Sequence, residues 1–395
     1  MQLLYFSPVA ADSYAQRPHF MVRAWLEWGA ESVLWVNPYP CRLPRWQDLR
    51  RGPGLSNQAS LRDPRVRVMS VPALPIEPLP LGAWLNRRLL GGKAWRKIER
   101  YATDGQTIVG VGRPCALALA ALDELQQSGS FYDAMDNFPE FYGGLSRRAM
   151  LRTEQAVAER VDLIVASSTF LADKFTRRGL QAEKVLNACE NDEYRMMNDE
   201  YNTRQSGVSD ASLILHSSFY IHHSPILGYV GCIGHWFDWP LVIRLARAMP
   251  DARLELVGPC VVKPPEKLPG NVRLLPACKH SETAGHLGRF SAGLIPFVND
   301  ALTAGVDPIK YYEYRAAGLP VLSTSFGEMA LRGREEEVFF LDQNENLAEV
   351  VRTAIGRRVD PAETSRFRRE NDWRRRFQGS GLLALLCASR RRRAA

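Results

Sequence analysis

Lys310 and Glu313 stand three residues apart in the segment Asp307-Pro-Ile-Lys-Tyr-Tyr-Glu-Tyr314. On a helix they share one face near its positive end. Asp307 is suited to cap such a helix and Pro308 to open it, since the φ of proline is already helical. Gly318 suits a left-handed residue just past the end, and Pro320 stops continuation. An ammonium beside the open N–H groups of a helix start can hold a diphosphate. A carboxylate one turn deeper can accept from the paired hydroxyls of a ribose. The competing reading is a solvated Lys–Glu pair worth roughly 0.2–0.5 kcal/mol.

Other residues with chemical potential fall into similar places. Gly231-Cys-Ile-Gly-His-Trp-Phe-Asp-Trp239 follows an apolar run and leads into a helix. Gly234 would let backbone approach a ligand closely. His235, Trp236 and Trp239 could pack on a nucleotide or sugar, or the tryptophans could wedge the helix onto its sheet. The spacing is not Gly-x-Gly-x-x-Gly, so no dinucleotide fingerprint is present. Pro276-Ala-Cys-Lys-His280 could back a base or be a plain loop. Arg17 and His19 flank Pro18 at a helix start. The arginine could hold a phosphate; the histidine could be a general base or a satisfied helix-end residue. Asp133, Asp136 and Asn137 surround the end of a strand pattern, and Asp136 is the better placed to orient or deprotonate an acceptor hydroxyl. Asp-x-x-Asp is not the Asp-x-Asp metal pattern, and no metal site is expected. Glu154 and Asp162 read as structural.

These residues follow near-continuous apolar runs that alternate with helical stretches. The first half has runs at Gln2 to Pro8, Ser32 to Val36, Thr107 to Val111, Phe131 to Met135 and Asp162 to Ser167. The second has them from Ile226, at Leu254 to Val257, Val272 to Leu275, Gly293 to Phe297 and Val338 to Leu341. The pattern predicts α/β architecture with two Rossmann-like doubly wound domains facing a cleft, ligands lying beyond the carboxyl ends of the strands. The proline- and glycine-rich stretch from Arg42 to Lys93 predicts loops. The expected divisions are a first domain over 1–189, a linker over 190–224, a second domain over 225–360 and a helical segment with a basic tail over 361–395.

A chain of 395 residues has room for two such domains. No apolar run is long enough to span a bilayer. The start lacks a basic n-region and runs into a strand pattern, so no signal peptide is expected. Seven scattered cysteines without Cys-x-x-Cys predict free thiols and a cytoplasmic setting. The net charge of +8 is partly local, because arginines crowd the end at Arg366, Arg368, Arg369, Arg374 to Arg376 and Arg390 to Arg393. That end could be a solvated tail or could meet nucleic acid or an anionic membrane surface. No aromatic-interleaved motif accompanies it, and no nucleic-acid partner is expected.

In order and spacing the chain resembles the GT-B glycosyltransferases, in particular bacterial family 4 sugar transferases of surface or extracellular polysaccharide synthesis. The resemblance is carried by Gln16-Arg-Pro-His19, Tyr132-Asp-Ala-Met-Asp-Asn137, Ala166-Ser-Ser-Thr-Phe-Leu171, Gly228 to Trp239, Gly293-Leu-Ile-Pro-Phe297 and Asp307 to Tyr314. It implies a nucleoside-diphosphate sugar donor (UDP- or GDP-sugar) on the second domain, and a saccharide or lipid-linked acceptor near Arg17, His19 and Asp136 on the first. Glu313 would bind the donor ribose. Thr303, Gly305, Val306, Asp307 and Lys310 would meet the diphosphate and sugar, and Gly234, His235 and Trp236 the donor phosphates. Catalytic roles would fall to His19, Asp136 and Lys310. The implied reaction is retaining and metal-independent, at the cytoplasmic side, with peripheral membrane association. Two departures stand out: Gly305 occupies the place of a glutamate that touches the transferred sugar, and His235-Trp-Phe-Asp238 replaces the usual Arg and Lys. Alternative readings are a sugar-nucleotide epimerase of the same architecture and an inactive scaffold protein.

Overall fold

The computed structural model describes residues 1–44, 61, 63–190, 224–357 and 359–391; the expected linker falls almost wholly outside them. The chain divides into two units. The first is Met1–Leu186 with Ala304–Val306 and Arg374–Ala395, and the second is Asn187–Thr303 with Asp307–Trp373.

In the first unit the order is β1 (Gln2–Phe6), α1 (Arg17–Glu27), β2 (Ser32–Val36), β3 (Val66–Met69), α2 (Gly82–Asn86), α3 (Gly92–Thr103), β4 (Thr107–Val111), α4 (Ala116–Glu124), β5 (Gly129–Ala134), α5 (Gly144–Ala158), β6 (Leu163–Ala166), α6 (Thr169–Thr176) and β7 (Ala182–Lys184). All seven strands are parallel, in the order β3-β2-β1-β4-β5-β6-β7. Leu3, Leu4 and Tyr5 of β1 are buried on both faces, which is why the run is apolar without alternation. The winding direction reverses between β1 and β4, and the crevice beyond their carboxyl ends is where such sheets bind ligands.

The second unit runs β8 (Ile226–Val230), α7 (Trp239–Ala248), β9 (Arg253–Val257), β10 (Val272–Leu275), α8 (His280–Leu287), β11 (Ala292–Ile295), α9 (Ile309–Ala316), β12 (Val321–Ser323), β13 (Val338–Phe340), α10 (Leu347–Gly356) and α11 (Pro361–Glu370). Its parallel sheet has the order β10-β9-β8-β11-β12-β13, with the reversal between β8 and β11. Helix α9 lies flush on β11 because Gly293 has no side chain; a Cβ there would sit 2.2 Å from the Tyr314 ring. The Tyr314 hydroxyl accepts from Val230 N at 3.2 Å, which ties the same helix to β8. Phe367 of α11 packs on Tyr311 and Tyr312 of α9, with ring centres 5.7 and 6.3 Å away.

From Arg374 onward the chain belongs to the first unit. Helices α12 (Trp373–Gln378) and α13 (Gly381–Arg391) follow, and α13 packs on β5 and β6 with Leu382 and Leu386 buried. Arg390 donates to Trp28 O and Gly29 O, both at 2.8 Å, and Arg374 pairs with Glu27 at 2.7 Å. Part of the basic end is therefore built into the fold rather than held as a solvated tail.

The expectation of loops from Arg42 to Lys93 is corrected for the described part. Strand β3 was hidden by its position at the sheet edge, where Arg67 faces solvent inside a run of only four residues. Helix α2 and the start of α3 were masked by the glycines and prolines around them.

Candidate functional site

Lys310 lies in the first turn of α9 at the switch point of the second sheet. Its Nζ is 5.3 Å from the ring centre of Tyr229 and 6.0 Å from that of Phe297. Its stem crosses Gly231, whose φ of +147° and missing Cβ make the room: a Cβ there would be 2.6 Å from Lys310 Cε. Among the described residues Lys310 makes no hydrogen bond and no ion pair. Burial pushes its pKa down, while the charge of Glu313 pulls it back up. An ammonium held over two aromatic faces with no ion pair among the described residues has the chemistry to take an anion. Glu313 is half-buried one turn further along the same helix.

The expected cap is corrected. Helix α9 begins at Ile309, Pro308 occupies the cap position, and no side chain closes its N–H groups. Asp307 instead is buried. Its Oδ1 takes Arg332 Nη2 at 2.9 Å, and its Oδ2 accepts from Asn187 N at 2.7 Å and from the Tyr312 hydroxyl at 2.9 Å. The Arg332 guanidinium also lies 3.9 Å from the Tyr311 ring centre. Asp307 therefore fixes the chain entering α9 and does not cap it. Gly318, with φ +76°, ends the helix as expected.

Several expected ligand contacts turn inward. Thr303 is buried, with its hydroxyl donated to Val298 O at 2.6 Å and its N–H given to Asp300 Oδ1 at 3.0 Å, so it closes its own loop. The close approach expected at Gly234 is used by the protein itself: a Cβ there would be 2.6 Å from the Trp236 ring. Trp236 is half-buried and meets the edge of Phe297; His235 is exposed. Trp239 is a wedge of the core, its Nε1 donating to Val262 O at 2.9 Å. Gly305 and Val306 count with the first unit. A Cβ at Gly305 would lie 3.1 Å from Asn137 Cβ and 3.3 Å from Leu171 Cδ2, so a glutamate has little space there.

In the first unit Asp136 follows β5, half-buried, and its carboxyl makes no hydrogen bond among the described residues. Burial first, and then the neighbouring Asp133 charge, raise its pKa to about 7, against the pull of Arg17. The two residues expected beside it are corrected. Arg17 is fully buried; its Nε pairs with Asp133 at 2.7 Å and its Nη1 donates to Val185 O at 2.7 Å, so it is not offered to a phosphate. His19 is also buried, its Nδ1 accepting from Gln16 N at 3.2 Å and its Nε2 lying 3.3 Å from Ala11 O. Burial lowers its pKa to about 4. With both ring nitrogens engaged it holds the loop onto α1 rather than serving as a base. Glu154 and Asp162 are structural: Glu154 pairs with Lys174 at 2.6 Å, and Asp162 accepts from Ser130 N at 2.8 Å.

Two features were missed from sequence. Gly231 and the rings around Lys310 lie in quoted segments, but only the folded loop shows which glycine faces the lysine. A cavity of about 210 Å³ lies at the carboxyl ends of β2, β3 and β4, lined by Tyr39, Val71, Glu77, Trp84, Arg87 and Leu117. It was hidden in the stretch read as loops.

No protein-family model matches the chain, and no curated protein sequence does. Solved structures do match over nearly its whole length. HepE of Anabaena in complex with UDP and glucose is 13% identical with a TM-score of 0.58, covering 100% of each chain. The α,α-trehalose 6-phosphate synthase of Burkholderia multivorans is 12% identical with a TM-score of 0.56, covering 100% of this chain and 99% of the other. AviGT4, a glycosyltransferase involved in avilamycin A biosynthesis, is 13% identical with a TM-score of 0.56, covering 99% and 97%. With two parallel sheets wound in this order, the chain has the GT-B fold of these glycosyltransferases.

Proposed function

We propose that the chain is a glycosyltransferase that takes a sugar from a nucleoside-diphosphate donor. The observation that carries this reading is Lys310, which among the described residues has no ion pair or hydrogen bond, at the strand switch point of the second sheet and beside a helix start with no side-chain cap. Lys310 and the first N–H groups of α9 hold the diphosphate and stabilise the charge that grows on it as the bond to the anomeric carbon breaks. Glu313 accepts from the ribose hydroxyls. The presence of UDP in the HepE structures favours a UDP-sugar over a GDP-sugar.

Asp136 orients the acceptor hydroxyl and takes its proton as the new carbon–oxygen bond forms. A carboxyl with a pKa of about 7 is well matched to that task near neutral pH. Arg17 and His19 support it indirectly, by holding Asp133 and the loop before α1. The acceptor is a saccharide or lipid-linked saccharide of bacterial polysaccharide synthesis, met at the cytoplasmic face of the membrane. Transfer proceeds with retention and without a metal, as the resemblance implies.

The test is release of nucleoside diphosphate from a panel of UDP- and GDP-sugars with lipid-linked and free saccharide acceptors. Lys310→Ala should lower turnover by roughly 10²–10³-fold, and Glu313→Ala should mainly raise the donor KM. Unchanged turnover in both variants would refute the assignment. Isomerised donor formed without acceptor would mark an epimerase instead.

A further inference from the structure

Most exposed leucines of the first unit cluster in one stretch of sequence. Leu74, Leu79, Leu81, Trp84, Leu89 and Leu90 all face solvent between β3 and α3, Leu81 by 73%, Leu89 by 66% and Trp84 by 54%. Scattered exposed apolar residues need no explanation, but a concentration of this kind does. The backbone holds some of them in unusual ways. Leu81 has a φ of +60°, a conformation that a residue with a Cβ rarely adopts. Arg87–Gly91 forms a turn of π-helix, a local irregularity that often marks function, and Leu89 and Leu90 are exposed within it.

Positive charge is interleaved with these side chains. Arg88, Lys93, Arg96, Lys97 and Arg100 are exposed, and among the described residues none of them forms an ion pair. The Arg88 guanidinium lies 5.4 Å from the ring centre of Trp84. The two acidic residues of the stretch are used by the protein. Glu77 accepts from Ala116 N at 2.8 Å, and Glu99 accepts from Trp95 Nε1 at 2.6 Å. Helix α3 is anchored through buried Trp95, Ile98 and Tyr101, which leaves Lys93, Arg96, Lys97 and Arg100 on its outer face.

We propose that residues 74–100 form a docking surface for an anionic lipid bilayer. Trp84 and the leucines enter the headgroup boundary, and the basic side chains meet the lipid phosphates. The cavity at the ends of β2, β3 and β4 has Trp84 and Arg87 in its lining, so it adjoins the membrane-facing stretch. A lipid-linked acceptor would then be met where it resides. The docking inference extends that acceptor reading but does not depend on the transfer chemistry.

Vesicle flotation with the full chain tests it, using phosphatidylcholine vesicles with and without phosphatidylglycerol. The wild type should float with the anionic vesicles, less so at high salt. The variant Leu81→Ser, Trp84→Ser, Leu89→Ser and the variant Arg88→Glu, Lys93→Glu, Arg96→Glu, Lys97→Glu should each bind at least roughly tenfold less. Both should keep the wild-type melting temperature and the turnover with a water-soluble acceptor, which separates docking from transfer. The proposal is overturned if the wild type stays unbound. It is also overturned if the surface variants float like the wild type while loss of Arg390 to Arg393 abolishes binding. A wild-type dimer that the surface variants convert to monomers, without vesicle binding, would assign the face to a second copy instead.

Discussion

Lys310 and Asp136 are both ionisable groups taken partly out of water, and burial shifts each toward its neutral form. Burial lowers the Lys310 pKa against the pull of Glu313, and a diphosphate bound beside it would favour the charged form further. Asp136 has its pKa raised to about 7, so its proton is held more tightly in the folded than in the unfolded chain. Its contribution to stability is full below the ordinary carboxylate pKa of about 4 and is lost as pH rises through about 7. Asp136→Asn should therefore raise the melting temperature at pH 8 and leave it nearly unchanged at pH 4. The same variant should lose the rise of turnover through pH 7 and fall by at least roughly 10²-fold in rate. His19 behaves oppositely. Its pKa is lowered to about 4, so its contribution is present above 6.5 and lost as pH falls toward 4. His19→Gln should cost about 1–3 kcal/mol in stability at pH 7 and lower turnover far less than Asp136→Asn, as denaturant titration and kinetics would show. The sequence placed Arg17, His19 and Asp136 together but could not say which would be buried. Of the three, Asp136 alone makes no side-chain hydrogen bond among the described residues, because Arg17 is drawn inward by Asp133 and His19 by the backbone of its own loop.

Helix α9 shows how an element can be legible while its details are not. The acid, proline and closing glycine around Ile309–Ala316 marked the helix and its end, and Lys310 and Glu313 fell on it as expected. The role of Asp307 was not legible, since its partner Arg332 lies 25 residues on in sequence. Removing that partner leaves a buried carboxylate uncompensated. Arg332→Ala should destabilise the protein by about 3–5 kcal/mol, measurable as a lowered denaturant midpoint. Gly231 makes a sharper test of the site itself. A methyl group there would meet both Lys310 and a backbone φ of +147°. Gly231→Ala should reproduce the donor-binding defect of Lys310→Ala with the lysine still present, read as a raised Kd for UDP. Strands β3 and β7 escaped the sequence pattern because sheet-edge strands are short and half polar.

For the molecule as a whole, the helices from Trp373 to Arg391 bring the chain back onto the first unit. Phe377, Leu382 and Leu386 are fully buried there, each worth about 1.5–3 kcal/mol. Truncation before Arg374 should therefore cost the first unit several kcal/mol, seen as an early unfolding transition or as insolubility on expression. The sequence carried the doubly wound class through its alternating runs, and the GT-B likeness extends over the full chain. It did not carry the cavity beside Trp84, which is built from three strand ends and a stretch with no regular pattern. The central claim is that the second unit binds a nucleoside diphosphate through Lys310. Calorimetric titration of UDP into the full-length wild type and Lys310→Ala tests it most directly. The account predicts saturable one-site binding by the wild type and at least roughly tenfold weaker binding by the variant, with both equally stable. Absence of binding to the wild type, or equal affinity in the two, would contradict it.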